Sequence, residues 1–412
     1  MAIDEWSAET RIDDDALKAV EREWNDLHGR CASATPFQSG AWVRSWWSAY
    51  GRAGGLRLVL VRRNGQLVAG AALMARRHRF STVLTPMGAG LSDFEDVLVD
   101  DRFAAEATRR LIGALLECRR WDRLQFDECR PGGAARRLYD AWPGARWRGA
   151  GSTCLEIAVA PVQQTLATLP RDTAKSFRKK LRRIDAAGFE ITEAPATEAA
   201  AAVRDLLDLH RRQWEGRPGV NPEHVSPRFE QFLGGAIGDL VGTGQAVVLQ
   251  YRRGGRVVAS ELLIVAPDLV GAYLFGFDPE LREEISVIVM LDSQALVLAD
   301  RLGRRTLSLL RGVEPYKLRW RPRPVPNERL VLVRPGSLAG AVHPPYLRAR
   351  VTALAAAERR FPRVLAMARA AREADWTRVR SLAERRPAHP ETSTPGDDAP
   401  RARRQPEETA GQ

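Results

Sequence analysis

Apolar positions Leu17, Val20, Trp24 and Leu27 recur at spacings of three and four, the stripe of an amphipathic helix. They follow Asp13 to Asp15, whose charges suit a helix N-terminus. A second helix is predicted in PFQSGAWVRSWWSAY, where Ser39 can cap a segment carrying Trp42, Val43, Trp46, Trp47 and Tyr50. So many rings on one helix mean a large buried contact or an aromatic-lined cleft, and Trp46 is a substrate-binding candidate for the second case. Next, LRLVLVRRNGQLVAGAAL joins two apolar runs through Asn64-Gly65, a strong hairpin signal.

The same object returns as VVLQYRRGGRVVASELL. At an offset of about 190 residues, Arg62 to Ala69 meets Arg252 to Ala259, and Trp24 falls on Trp214. The chain therefore reads as duplicated. Each copy has two helices, a hairpin, a further strand, a helix and another strand. In the first copy the later pieces are STVLTPM, the loop GAGLSDFEDVLV, a helix from Phe103 to Arg119 and the strand RLQFDEC. In the second they are GAYLFGFD, a helix from Ser286 to Leu302 and the strand RTLSLLRG. Hairpins followed by a helix and a returning strand predict an α/β (α+β) fold with mixed central sheets flanked by helices, not strict doubly wound alternation.

This places a first domain over 1–160 and a second over 196–340. The stretch 161–195 contains LPRDTAKSFRKKLRRIDAAGFEI, a helix with a narrow apolar stripe of Phe177, Leu181 and Ile184 and cationic outer faces. It is either a solvated linker or a clamp for phosphate or acidic saccharide, with Lys175, Lys179, Arg182 and Arg183 on one side. Residues 341–385 have helical composition rich in arginine, fit to pack on the second domain or to lie on an anionic membrane surface. From 386 to 412 almost nothing is apolar, and disorder is expected.

The net charge of +12 invites an anionic partner, but only five of the 63 basic residues are lysines, and the arginines are spread over every segment. Three of the five, Lys175, Lys179 and Lys180, share one helix. No run approaches the ~18 apolar residues of a membrane span. The acidic N-terminus lacks the basic start and apolar core of a signal peptide, so a cytoplasmic location is expected. Cys31, Cys118, Cys129 and Cys154 form no CxxC pair, and the six histidines lie at no ligand spacing, so no metal is implied.

Chemistry concentrates in LRGVEPYKLRW, where Glu314, Tyr316, Lys317, Arg319 and Trp320 gather directly after a strand. Packing explains Trp320, although its ring is also a substrate-binding candidate. It does not explain the polar four, which suit a substrate cleft, with Tyr316 as a general acid and Lys317 and Arg319 for an anionic donor or acceptor. Glu261 is the one carboxylate among apolar neighbours on its strand. Partial burial would raise its pKa toward that of a base, while exposure or pairing with Arg252 would make it structural. His210 and Trp214, four residues apart on a helix, flank the same cleft or, for the histidine, serve structure.

Four pieces, ATPFQSGAWVRSWW, LLDLHRRQWEGRPG, AYLFGFDPE and LLRGVEPYKLRW, in this order and spacing, resemble the CelD/BcsL-type proteins. These are an acetyltransferase-like branch of the GNAT superfamily linked to cellulose and exopolysaccharide formation. The resemblance spans about Trp24 to Arg334. It implies tandem GNAT-like domains and acyl transfer from acetyl-CoA or another acyl-CoA to a saccharide, amino sugar or other small acceptor. It also implies a diphosphate seat at a helix N-terminus, usually beside glycine. Here the corresponding turn, DPELREEISVIVML, has no glycine between Asp278 and Leu291 and carries Glu283 and Glu284, which would repel a diphosphate. Gly88 and Gly90 in PMGAGLSDF, or Lys175, Lys179 and Arg182, are the alternative holders. A Fem-like enzyme drawing on aminoacyl-tRNA and a non-catalytic GNAT-shaped subunit are the competing classes.

Overall fold

The computed structural model describes residues 4–78, 80–215 and 221–342, with 345, 346 and 349. The helical extension expected over 341–385, beyond its first positions, and the tail from 386 lie outside the described residues. The first half runs β1 (Trp6–Arg11), α1 (Ala16–Ala19), α2 (Glu21–His28), α3 (Gly40–Tyr50), β2 (Leu56–Arg63), β3 (Gln66–His78) and β4 (Ser81–Pro86). It continues through β5 (Leu98–Val99), α4 (Ala104–Glu117), β6 (Arg123–Cys129), α5 (Ala134–Asp140) and β7 (Arg146–Ala158). The second half follows as α6 (Val162–Ala167), α7 (Arg171–Ala186), β8 (Glu190–Glu193), α8 (Ala199–Trp214), α9 (Pro227–Gly242), β9 (Ala246–Arg253) and β10 (Arg256–Val265). It closes with β11 (Leu269–Phe277), α10 (Leu281–Glu284), α11 (Val287–Arg301), β12 (Thr306–Arg311), β13 (Arg323–Val333) and α12 (Leu338–Ala341).

The paired hairpins form as expected. Asn64 and Gly65, and again Gly254 and Gly255, all have positive φ, the requirement of a two-residue turn that matches strand twist. The first expected helix is divided: α1 and α2 meet at Val20, with φ −106° and ψ 6°, although Leu17, Val20, Trp24 and Leu27 are all buried. A strand, β1, precedes it and pairs with β2.

The halves share one 13-stranded mixed sheet in the order β1-β2-β3-β4-β6-β13-β7-β12-β11-β10-β9-β8, with β5 beside β3. Read inward from either edge, the same pattern appears: an edge strand, a hairpin, a third antiparallel strand, a parallel neighbour reached through a helix, and an antiparallel closing strand. That closing strand is exchanged. β7, from the end of the first half, closes the second against β12, and β13, from the end of the second, closes the first against β6. β7 and β13 pair with each other at the joint.

Helices cover both faces. One core gathers α2 and α3 with α8 and α9, so Trp42 and Trp46 pack with Phe229 and Phe232 from the other half. On the opposite face, α4 and α5 cover the first half, while α6, α7 and α11 cover the second. The stripe foreseen on α7 is laid down here: Phe177 and Ile184 are buried and Leu181 is partly so.

Candidate active site

β11 and β12 pair in parallel only over Leu269–Gly271 and Thr306–Ser308. Beyond that ladder the strands part, and Ala272–Phe275 faces Leu309–Gly312 across a cavity of about 380 Å³. The parting is built into β12. Its register against β7 shifts between Ser308 and Arg311, Leu310 takes φ +53°, and Gly312 takes φ +109°. A left-handed leucine costs roughly 1–2 kcal/mol, and it turns the chain into the loop that carries Glu314, Tyr316 and Lys317.

His210, on α8, forms one wall of this wedge and is 6% exposed. Its Nδ1 lies 2.7 Å from the Phe275 carbonyl oxygen. That oxygen can only accept, so Nδ1 carries the proton and Nε2 keeps a lone pair. Nε2 is buried with no partner among the described residues, and burial lowers the pKa of the ring, which is therefore neutral at pH 7. One turn later, Trp214 presents a buried, unpartnered indole N–H at the same cavity.

The floor is acidic. Glu261 on β10 is 3% exposed and accepts a hydrogen bond from the Tyr251 hydroxyl. Burial raises its pKa well above the ordinary carboxylate value. The partial burial that would have made it a base is exceeded. Asp292 on α11 accepts from Trp320 Nε1 at 2.7 Å, and burial pushes its carboxyl up to about 7. Trp320, expected to contact substrate, is instead core: it is 3% exposed and packs edge-on to Phe177 at 4.6 Å.

The other members of the post-β12 loop divide between two cavities. Glu314 and Lys317 line the wedge, joined by an ion pair of 3.0 Å, and Lys317 Nζ donates to the Arg311 carbonyl at 2.7 Å. Arg311 itself reaches across the joint to Asp93, with Glu128 at 3.7 Å. Arg319 faces a neighbouring cavity of about 570 Å³. Tyr316, Trp214, Phe275 and Ile288 line both. Tyr316 thus stands at the boundary, and burial raises its pKa and keeps the phenol protonated.

The neighbouring cavity holds the first residues of α11, Val287 and Ile288, preceded by Ser286, whose side chain makes no cap bond. Its cations are Lys180 and Arg183 from α7, with Arg282 and Arg319. Burial and the nearby Arg319 charge lower the Lys180 pKa. Glu284, expected to repel a diphosphate here, is held by both terminal nitrogens of Arg253. Lys175, Lys179 and Arg182 are exposed on the outer faces of α7. Gly88 occupies a tight turn, φ +88°, where a Cβ would meet the Ser92 hydroxyl. Gly90 and Trp46 line a separate cavity near α3.

Asp292, Asp93, Arg311, His224 and Tyr273 were not anticipated. Asp292 had a signal, a lone carboxylate inside the apolar run VIVMLDSQALVL. His224 lies 6.2 Å ring to ring from His210 and stacks on Phe229. Among the described residues no group of His, Cys, Asp or Glu is arranged to hold a metal.

Residues 171–318 match the model of the acetyltransferase (GNAT) domain. That segment contains His210, Glu261, Asp292 and Tyr316. No curated protein matches the sequence. Among solved structures, FemX is similar at 11% identity and TM-score 0.54, over 75% of this chain and 95% of that one. The C-terminal domain (DUF2156) of a putative lysylphosphatidylglycerol synthetase from Agrobacterium fabrum gives 11% identity and TM-score 0.49, over 79% and 94%. A tandem GNAT protein from the clavulanic acid biosynthesis pathway gives 12% and 0.36, over 81% and 100%. The FemX likeness speaks for the fold alone.

Proposed function

We propose, from the GNAT acetyltransferase domain found over 171–318, that the second half transfers an acyl group from an acyl-CoA to an amine or hydroxyl held in the wedge. The observation that carries this reading is His210 Nε2, a neutral, buried and unpartnered proton acceptor in a cavity bounded by a protonated tyrosine. His210 takes the proton of the attacking group, and Tyr316 gives one to the departing thiolate. Glu261 and Asp292 sit behind them, tied to Tyr251 and Trp320.

The chain's own residues suit the donor. The uncapped start of α11 offers backbone N–H groups, and Lys180, Arg183 and Arg319 supply the positive charge that the glycine-free turn lacks. Bound there, a thioester supplies an activated acyl carbon and a thiolate leaving group. The resemblance to CelD/BcsL-type proteins makes a saccharide or amino sugar the acceptor, and Trp214, Tyr273 and Phe275 give the wedge flat walls for a ring. A second donor, aminoacyl-tRNA, is favoured by the exposed Lys175, Lys179 and Arg182 on α7, the helix that also lends Lys180 and Arg183 to the cavity.

Calorimetric titration of acetyl-CoA and free CoA tests the donor. Saturable binding that weakens at least about tenfold in a Lys180→Gln/Arg183→Gln/Arg319→Gln variant is expected. No binding at millimolar ligand, with steeply salt-dependent binding of charged tRNA, would transfer the reading to the second donor.

A further inference from the structure

A cavity of about 280 Å³ adjoins the wedge on the α3 side, and Leu91 and Asn221 line both. Three guanidiniums converge on it from separate segments: Arg52 just after α3, Arg76 near the end of β3, and Arg228 in the first turn of α9. Among the described residues none of the three has a carboxylate partner. Arg44, on α3 itself, shows the usual arrangement, paired with Glu21 and Asp239. Arg76 lies over the Trp46 ring at 5.8 Å and Arg228 over Tyr50 at 5.5 Å. Those rings stack on each other at 5.6 Å, so an aromatic wall supports Arg76 and Arg228.

The one acid in the lining does not cancel them. Glu223 accepts from the Tyr50 hydroxyl at 2.7 Å and the Ser226 hydroxyl at 2.8 Å. Three guanidiniums against one carboxylate leave two positive charges unmatched. Gathering like charges without a counterion is unfavourable, and Arg76 registers it: burial, then the charge of Arg52, lowers its pKa. The Ala89–Leu91 loop completes the cavity, with Gly90 at φ +91° and open space where its Cβ would stand.

We infer that this cavity binds a phosphate group of the acceptor. Guanidiniums match phosphate oxygens in fork geometry, and a dianion balances the two unmatched charges. A phosphorylated acceptor anchored here reaches past Leu91 and Asn221 with its amine or hydroxyl toward His210. The anchoring role rests on the acceptor reading of the wedge; the phosphate site itself does not.

The test titrates inorganic phosphate into the full chain in a Lys180→Gln/Arg183→Gln/Arg282→Gln/Arg319→Gln background, which removes the donor-side cations. Saturable binding is expected, weakened at least about tenfold by adding Arg52→Gln/Arg76→Gln and also by adding Arg228→Gln alone. All three side chains are exposed, so circular dichroism should be unchanged. A soluble sugar phosphate and vesicles containing phosphatidic acid then distinguish a small acceptor from a lipid-borne phosphate, each by the same loss in the arginine variants. Acetyl-CoA binding to Arg52→Gln/Arg76→Gln with the donor-side cations intact should equal wild type, so failure of the donor reading would be seen separately. Equal phosphate affinity with and without the arginines would overturn the inference.

Discussion

His210 is set up by one hydrogen bond. Because Phe275 can only accept, the tautomer that leaves Nε2 basic is imposed by the backbone of β11. His210→Gln should lower kcat/KM by roughly 10²–10⁴, the usual range for a lost general base. Tyr316→Phe should lower kcat with KM nearly unchanged, as steady-state kinetics with a fixed acceptor would show. Buried carboxyls also set a pH dependence of stability. Burial, then the charge of Asp127, pushes Glu95 up to about 8, and burial pushes Asp96 up to about 6. Folding raises these groups above their unfolded values near ~4, so their contribution is full below that pH and is lost as pH rises toward about 8. Thermal melts should therefore show Glu95→Gln losing less stability than wild type between about pH 5 and about pH 8.5. At this scale the sequence marked Tyr316, Glu261 and His210, because each is a polar group in an unexpected setting. It could not show that Trp320 turns inward to Asp292, or that Arg311 meets Asp93, since those contacts join distant segments.

Among the elements that periodicity did not disclose, β7 and β13 form the joint of the sheet. Pro324 and Pro326 argue against a central strand. They are tolerated because β6 joins β13 only from Glu328 onward, so the prolines have a pairing neighbour, β7, on one side only. β7 begins RWRGAG, with charge and glycine where a strand would show alternation. Asn327, 1% exposed, links these strands to the site: it donates to the Asp93 carbonyl at 3.1 Å and to Glu128 at 2.9 Å. Asn327→Ala should cost about 1–3 kcal/mol by leaving those acceptors unmatched. The corresponding fall in Tm, roughly 2–4 °C per kcal/mol, is measurable by differential scanning fluorimetry.

Across the whole molecule, the duplication was legible because the two hairpin turns need positive φ and so keep Asn-Gly and Gly-Gly in register 190 residues apart. How the copies join was not legible, since an exchanged strand looks the same in sequence as one that folds back on its own half. The exchange predicts cooperative melting. Leu111→Ala on α4 and Leu296→Ala on α11, both fully buried, should each cost about 2–5 kcal/mol and shift one shared transition. Calorimetry that resolves two transitions, with only one moved by each variant, would contradict this.

The exchanged strands also govern how the protein is made. Synthesis runs from the N-terminus, so β6 and β7 leave the ribosome long before β13, which completes their pairing, has been translated. Until then, two strand edges at the centre of the future sheet stay open to pairing with other chains. A ribosome stalled before Val333 therefore holds a nascent first half that is unfinished whatever its own sequence, and chaperone engagement should persist until the last strand emerges.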